Sequence, residues 1–287
     1  MTPHDMTGRV CLVTGASDGH GRAVAEALAR AGADVVLLGR NPQKCEIAQR
    51  EIGEATGRKP DVLLCDLMNR TDVDRAADQY LESGRRLHLL VNNAGLVNLH
   101  RQVNSEGLEQ TFAVNYLAMF QLTLRLLGRL KESAPARIVN ISSDSYKIAK
   151  LELDNLQLER GYSVSQAYSR SKLAILYFSL ELARRIEGTG VTVNAVDPGP
   201  VASNIAANNP GLLYSLAKPM IRYLFPSAAR AARTCLLVAS DPALVTSSGG
   251  YWRSRVRRER PLKNPDPELS AGLWRESVRL TGVDLPP

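Results

Sequence analysis

Val10-Cys-Leu-Val-Thr14, followed at once by Gly15-Ala16-Ser17-Asp18-Gly19-His20-Gly21 and by a helical pattern through Ala31, decides the fold. An apolar run, a glycine-rich turn and a helix in direct succession make the first half of a βαβ unit. Glycines let the backbone approach a phosphate closely. The amides at the helix start, with the positive end of the helix dipole, can hold the pyrophosphate of a dinucleotide. The spacing is GxxxGxG rather than GxGxxG, so the motif alone also admits a glycine-rich turn with no ligand. Asp18 brings a carboxylate into this loop, where it would repel pyrophosphate unless it points away or caps the helix. For His20 a position on the helix surface is the simpler reading.

Asp34-Val-Val-Leu-Leu-Gly39-Arg40 reads as a second buried strand ending in glycine and arginine. In a dinucleotide site the residue at this strand's tip meets the adenosine ribose; an acid there would accept from the 2′-hydroxyl, and an arginine can pair with a 2′-phosphate. No acid stands at the tip, so NADP(H) is the expected cofactor, against the alternative of a plain surface arginine. Helical pattern over residues 43–56, strand pattern over 62–65 closed by Asp66-Leu67, a helix over 72–82 and a strand over 87–91 continue the alternation. Asp66 is expected beside the adenine edge. The turn Asn92-Asn93-Ala94-Gly95 comes next, and strands alternating with helices of this length indicate right-handed crossovers and a parallel sheet.

Residues 105–130 read as largely helical, with Asn115 amid apolar neighbours, where it needs a water, a backbone group or a ligand network to satisfy it. A fifth strand, Arg137-Ile-Val-Asn-Ile, delivers Ser142-Ser143 to the carboxyl end of the sheet, where ligands bind in open α/β folds. A long polar connection over 144–166 leads to Tyr168-Ser-Arg-Ser-Lys172. On a helix the i,i+4 spacing puts phenol and ammonium on one face, about 6 Å apart along the axis. A nearby cation favours phenolate, so the tyrosine becomes a candidate acid for a carbonyl or base for an alcohol. A sixth strand, residues 191–196, leads to Asp197-Pro198-Gly199. The segment 202–226 has the placement of a substrate lid, Gly249-Gly250-Tyr251 reads as the last strand, and residues 266–280 as a terminal helix.

The chain has 287 residues, 44% hydrophobic, enough for the core of one large α/β domain. Cys11, Cys45, Cys65 and Cys235 are scattered, without CxxC or His-rich spacing, which points to neither a disulfide framework nor a metal site. Met1 to Gly8 is polar and no apolar run approaches the ~18 residues of a membrane span, so the expectation is a soluble, cytoplasmic protein with no membrane partner. The net charge of +7 owes much to Arg253, Arg255, Arg257, Arg258 and Arg260. No aromatic stacking pattern accompanies them, so this run reads as a solvated edge or contact surface, with no nucleic-acid partner.

Taken together, Thr14-Gly15-xxx-Gly19-x-Gly21, Asn92-Asn93-Ala94-Gly95, Asn115, Ser143, Tyr168-xxx-Lys172 and Pro198-Gly199 resemble the short-chain dehydrogenase/reductase family over about residues 8–252. Residues 137–199 look closest to its retinol dehydrogenase-like branch. The resemblance implies a single Rossmann-like α/β domain, a doubly wound parallel seven-stranded sheet with helices on both faces, followed by a C-terminal extension from about 253. It implies that Tyr168 exchanges the proton at the substrate oxygen, Ser143 hydrogen-bonds that oxygen, Lys172 lowers the tyrosine pKa and binds the nicotinamide ribose, and Asn115 positions a water. Ser143 is preferred to Ser142 as the second serine of the pair. NADP(H) contacts fall by the same carry-over on Gly15, Ser17, Asp18, Gly19, His20, Gly21, Arg40, Asp66, Leu67, Asn93, Ala94, Gly95, Tyr168, Lys172, Pro198, Gly199 and Val201.

The resemblance further implies a homodimer or homotetramer and a small-molecule carbonyl or alcohol substrate. In the family an aliphatic residue usually stands at His20 and a neutral residue or His at Asp197, so both positions depart from the pattern. The expected activity is an NADP(H)-dependent ketoreductase or alcohol dehydrogenase acting on a bulky, fairly apolar molecule. Reduction of a C=C or C=N bond, a non-redox step on the same fold, and a non-catalytic NADP(H)-binding regulator are the alternatives. An intact Asn, Ser, Tyr and Lys set argues against the last.

Overall fold

The computed structural model describes residues 3–199, 227–258, 261–262 and 265–285. The expected lid and Val201 lie outside the described residues. Strands β1 (Val10–Thr14), β2 (Asp34–Gly39), β3 (Asp61–Leu64), β4 (Leu89–Asn92), β5 (Ala136–Ile141), β6 (Val191–Asp197), β7 (Gly250–Arg253) and β8 (Val256–Arg258) form one sheet in the order β3-β2-β1-β4-β5-β6-β7-β8. All neighbours from β3 to β7 pair in parallel. The eighth strand corrects the expected seven-stranded sheet: it runs antiparallel to β7. It was hidden because its sequence, Val256-Arg257-Arg258, lacks apolar alternation. As an exposed edge it has no second face to bury.

The helices are α1 (Gly19–Arg30), α2 (Pro42–Thr56), α3 (Arg70–Glu82), the short α4 (Gln110–Phe112), α5 (Ala118–Glu132), α6 (Val164–Arg185), α7 (Ala228–Ser240) and α8 (Pro267–Thr281). Asn41 caps α2 with Pro42 in its first turn, Asn69 caps α3, and Ser163 caps α6. Each supplies a side-chain oxygen to backbone amides that have no partner within the helix. The helical run expected from residue 105 begins at Gln110 instead, because the buried Glu109 carboxylate accepts from the amides of Thr111 and Phe112, both at 2.8 Å, and fixes the start there.

Two cores flank the sheet. One packs Val73 of α3, Phe120 of α5, Phe178 of α6 and Trp274 of α8 over Leu12, Leu90 and Ile138. The other packs Val24 of α1, Ala48 of α2 and Cys235 of α7 over Val13, Val91 and Val139. Strands covered on both faces read as continuous apolar runs, which is why β1, β2 and β6 were visible in the sequence. Strand order reverses between β1 and β4, so the crevice outside their carboxyl ends lies between Gly15 and Asn93. Among the described residues, no helix is long and apolar enough to cross a membrane.

Candidate active site

At this crevice the two turns are fitted to one another. The Thr14 hydroxyl accepts from the amides of Asn93 at 2.9 Å and Ala94 at 3.0 Å, while Asn93 Nδ2 donates to the Thr14 carbonyl at 2.8 Å. Gly15 has φ +64, and a Cβ added to Gly21 would stand 2.3 Å from Asn93 Nδ2 and 2.4 Å from the Gly15 carbonyl. Here glycine is required by close approach. Asp18 resolves its own difficulty: it caps α1, its carboxylate accepting from the Gly19 amide at 2.7 Å. His20 corrects the expectation of a helix-surface residue. It is buried, with Nδ1 2.8 Å from Asn93 Oδ1, and burial holds its pKa below the ordinary histidine value.

A cavity of about 590 Å³ runs from this loop across the carboxyl ends of the strands. The candidates Gly15, Ser17, Asp18, Gly19, His20 and Gly21 line its first part, with Asn93, Ala94 and Gly95 opposite. Arg40, Asp66 and Leu67 line one end, and Ser143, Tyr168, Lys172, Pro198 and Gly199 the other. Lys44, Asp144 and Arg253 also line it and were missed. Lys44 had a findable signal, since it follows Arg40 by four residues at the first turn of α2. Arg40 is exposed and lies 3.9 Å from Asp66, an ion pair that solvent makes weak.

Asn115 stands apart, sealed just behind the wall. It is 1% exposed and lies in a π-helical segment, Ala113–Leu117, inserted between α4 and α5. Its Oδ1 accepts from the Leu96 amide at 2.8 Å, and its Nδ2 donates to the Leu96 carbonyl at 3.0 Å and the Ser171 hydroxyl at 3.1 Å. Every side-chain demand is thus met by protein, which places Leu96 and anchors the helix carrying Tyr168. Single π turns are frequent at functional sites.

The two serines of β5's end separate by their partners. Ser142 turns to the helix and donates to the Lys172 carbonyl at 2.9 Å, whereas Ser143 lines the cavity together with Tyr168 and caps a 3₁₀ turn, Asp144–Ile148. Burial pushes the Tyr168 phenol up to about 12, opposed by Ser143 and reinforced by the Asp197 charge. This is opposite to the expected lowering. Lys172 Nζ donates to the Ile141 carbonyl at 2.9 Å, and burial brings its pKa down to about 8, opposed by Asp197. The pair is therefore a protonated phenol beside an amine that titrates near neutrality, and such a phenol can donate to an oxygen held by Ser143.

The profile of the short chain dehydrogenase family matches residues 9–210. The chain belongs to the short-chain dehydrogenase/reductase family. Mouse retinol dehydrogenase 12 is 39% identical over 278 residues, covering 96% of this chain and 87% of that protein, which agrees with the branch read from the sequence. A crystal structure of an uncharacterized protein from Mycobacterium paratuberculosis superposes with a TM-score of 0.80 at 30% identity, over 99% of this chain and 97% of that one. A short chain dehydrogenase from Shigella flexneri complexed with NADP gives a TM-score of 0.70 at 27% identity, over 88% and 98%. The chain thus has the fold of a family of oxidoreductases whose enzymes act on small molecules.

Proposed function

We propose that this family member is an NADP(H)-dependent oxidoreductase interconverting a ketone or aldehyde and an alcohol on a bulky, fairly apolar small molecule. The observation that carries the reading is that Ser143, Tyr168 and Lys172 line one end of a cavity whose other end holds Arg40 and Lys44. The glycine-rich loop at the N-terminus of α1 and the wall of Asn93, Ala94 and Gly95 fit a pyrophosphate between these ends. Two cations at the adenosine end suit a 2′-phosphate, and the NADP-bound relative from Shigella flexneri supports the same choice. NADP(H) supplies the hydride chemistry.

The chain's own residues do the rest. Ser143 holds the substrate oxygen, and Tyr168, protonated at neutral pH by its burial, gives its proton to that oxygen in the reducing direction. Lys172 then replenishes the tyrosine, its midpoint near 8 letting it release or take a proton close to neutrality. Asn115 holds Leu96 and Ser171 in place around this path. The experiment is a panel of aromatic, polycyclic and aliphatic ketones and aldehydes assayed with NADPH and with NADH. Turnover of at least one bulky apolar carbonyl, faster with NADPH, is expected. NADPH binding without turnover of any carbonyl would leave the binding regulator or a C=C or C=N reductase in its place.

A further inference from the structure

Arg253 belongs by sequence to a run of surface arginines, but its side chain turns back over the end of β7 into the reaction end of the cavity. Its guanidinium pairs with Asp144 and, through Nε at 3.3 Å, with Asp197. Asp144 directly follows Ser143, and Asp197 directly precedes Pro198-Gly199. Asp197, only 4% exposed, bridges the same two segments by itself, since one carboxylate oxygen accepts from the Gly199 amide at 2.7 Å and the other from the Asp144 amide at 3.3 Å. Tyr251, two residues before Arg253 on β7, donates to Asp144 at 2.7 Å, and Lys147 donates at 2.6 Å from the 3₁₀ turn.

The backbone that carries Arg253 is itself constrained. Ser254 and Arg255, the link between β7 and β8, both have positive φ, +50 and +65, a conformation that costs energy for residues with a Cβ and matches a tight hairpin turn. The Arg255 amide donates to Thr234 of α7 at 3.3 Å, tying the hairpin down. The short β8 therefore fixes the root of Arg253.

We propose that Arg253 and Asp197 form a charged clasp that positions the reaction end of the site, holding Ser143 and the Pro198-Gly199 turn against each other on either side of Tyr168. This rests on the oxidoreductase reading above. The clasp also sets the field at the proton path. Asp197 acts to raise both Tyr168 and Lys172, and Arg253 offsets Asp197. Among the described residues, the charged or titratable groups facing the clasp are Asp144, Tyr146 and Lys147 from the 3₁₀ turn, Tyr168 and Lys172 from α6, Tyr251 from β7 and Arg258 from β8. Asp197 is the buried anion of the clasp, and Arg253 is the cation paired directly with it.

The test follows lysine protonation directly, through the NMR shift of lysine labelled at Cε, assigned by Lys172→Met, in the full-length protein with Arg253→Met, Arg253→Lys and Asp197→Asn. Arg253→Met should move the Lys172 midpoint up and Asp197→Asn should move it down, with Arg253→Lys close to wild type. On a carbonyl substrate Arg253→Met should lower kcat roughly 10- to 100-fold while NADPH affinity stays near wild type, since misplacing reacting groups by about 1 Å costs on this order. A Lys172 midpoint unmoved in both Arg253→Met and Asp197→Asn overturns the proposal. So does a loss of NADPH binding in a folded Arg253→Met that Arg253→Lys fails to restore, which would make Arg253 a support of the cofactor site and not of the reaction end. If Arg253→Met does not fold, the downward shift in Asp197→Asn decides. Lysine shifts of the expected sign in a protein that reduces no carbonyl would uphold the clasp and refute the ketoreductase reading.

Discussion

Lys172 Nζ stands over the face of the Tyr168 ring, 5.4 Å from its centroid, and donates to the Ile141 carbonyl at the end of β5. The ammonium is thus held beside the phenol ring by the backbone of the strand that also presents Ser143. Lys172 is buried and Tyr168 is half-buried in the cavity wall. Burial therefore dominates each of them, keeping the proton on the phenol and weakening its hold on the amine.

Tyr168→Phe keeps the ring and removes the hydroxyl from the end of the cavity that Ser143 also lines. Turnover on a confirmed carbonyl substrate should fall by roughly 10²–10⁴-fold, the range of general acid catalysis, with NADPH affinity close to wild type. Steady-state kinetics beside a binding titration separates the two effects. A variant retaining about half the wild-type rate would remove Tyr168 from the acid's role.

Lys172 makes the stability of the ligand-free protein depend on pH. Its folded midpoint is about 8, against 10.5 for an ordinary lysine, so between these values the unfolded chain binds more protons and stability rises with pH. Below about 8 the burial cost is present in full, on the order of 3 kcal/mol at 1.36 kcal/mol per unit. Lys172→Met lacks this proton equilibrium. The difference in unfolding free energy between wild type and variant, measured by denaturant melts from pH 7 to 10, should therefore stay level up to about pH 8 and shift in favour of wild type above it. A flat difference would mean that the amine is solvated.

The legible part of this site was what spacing determines. Gly15, Gly19 and Gly21 after an apolar run, and Tyr168 with Lys172 one helical turn apart, are readable from spacing, and the structure brings both groups to the wall of one cavity. The direction of the Tyr168 shift was not legible, because it depends on how deeply α6 is buried, not on which neighbours it has in sequence. Arg253 was hidden by its company: its neighbours Arg255, Arg257 and Arg258 are exposed, and only the turn at Ser254-Arg255 separates their fate from its own. His20 was misjudged because the helix start it occupies is roofed by the Asn93 turn and by α7, contacts between segments far apart in the chain.

Gly21→Ala should damage the phosphate loop far more than its size suggests. The added methyl would overlap Asn93 Nδ2 and the Gly15 carbonyl together, and neither can retreat without breaking the bonds that join the two turns. A loss of about 1–3 kcal/mol of stability, typical of forced overpacking, is expected, with weakened NADPH binding. Thermal melts and a binding titration check it. Unchanged values in both would show that the turns are looser than their geometry.

Cofactor choice gives the sharpest contrast. Gly39 occupies the place where an acid would receive the ribose hydroxyls, and a Cβ there would stand 2.6 Å from Cys45 Sγ, so a larger residue must displace the buried Cys45 side chain of α2. Arg40 and Lys44 line that end of the cavity, and Asp66, 3.9 Å from Arg40, is the carboxylate against which a 2′-phosphate must compete. Because that ion pair is exposed and worth about 0–1 kcal/mol, a phosphate gaining charge-assisted bonds of roughly 1.5–3 kcal/mol displaces it. NADPH should accordingly bind on the order of 10- to 100-fold more tightly than NADH. At fixed ionic strength Arg40→Ala should weaken NADPH and leave NADH nearly unchanged, and Lys44→Ala should do the same more weakly, as a flexible point charge without the planar fork. Asp66→Asn should act in the opposite sense and tighten NADPH by releasing Arg40. Equal losses for both cofactors in Arg40→Ala would assign the arginine to the fold, and tighter NADH than NADPH binding in the wild type would reverse the cofactor assignment.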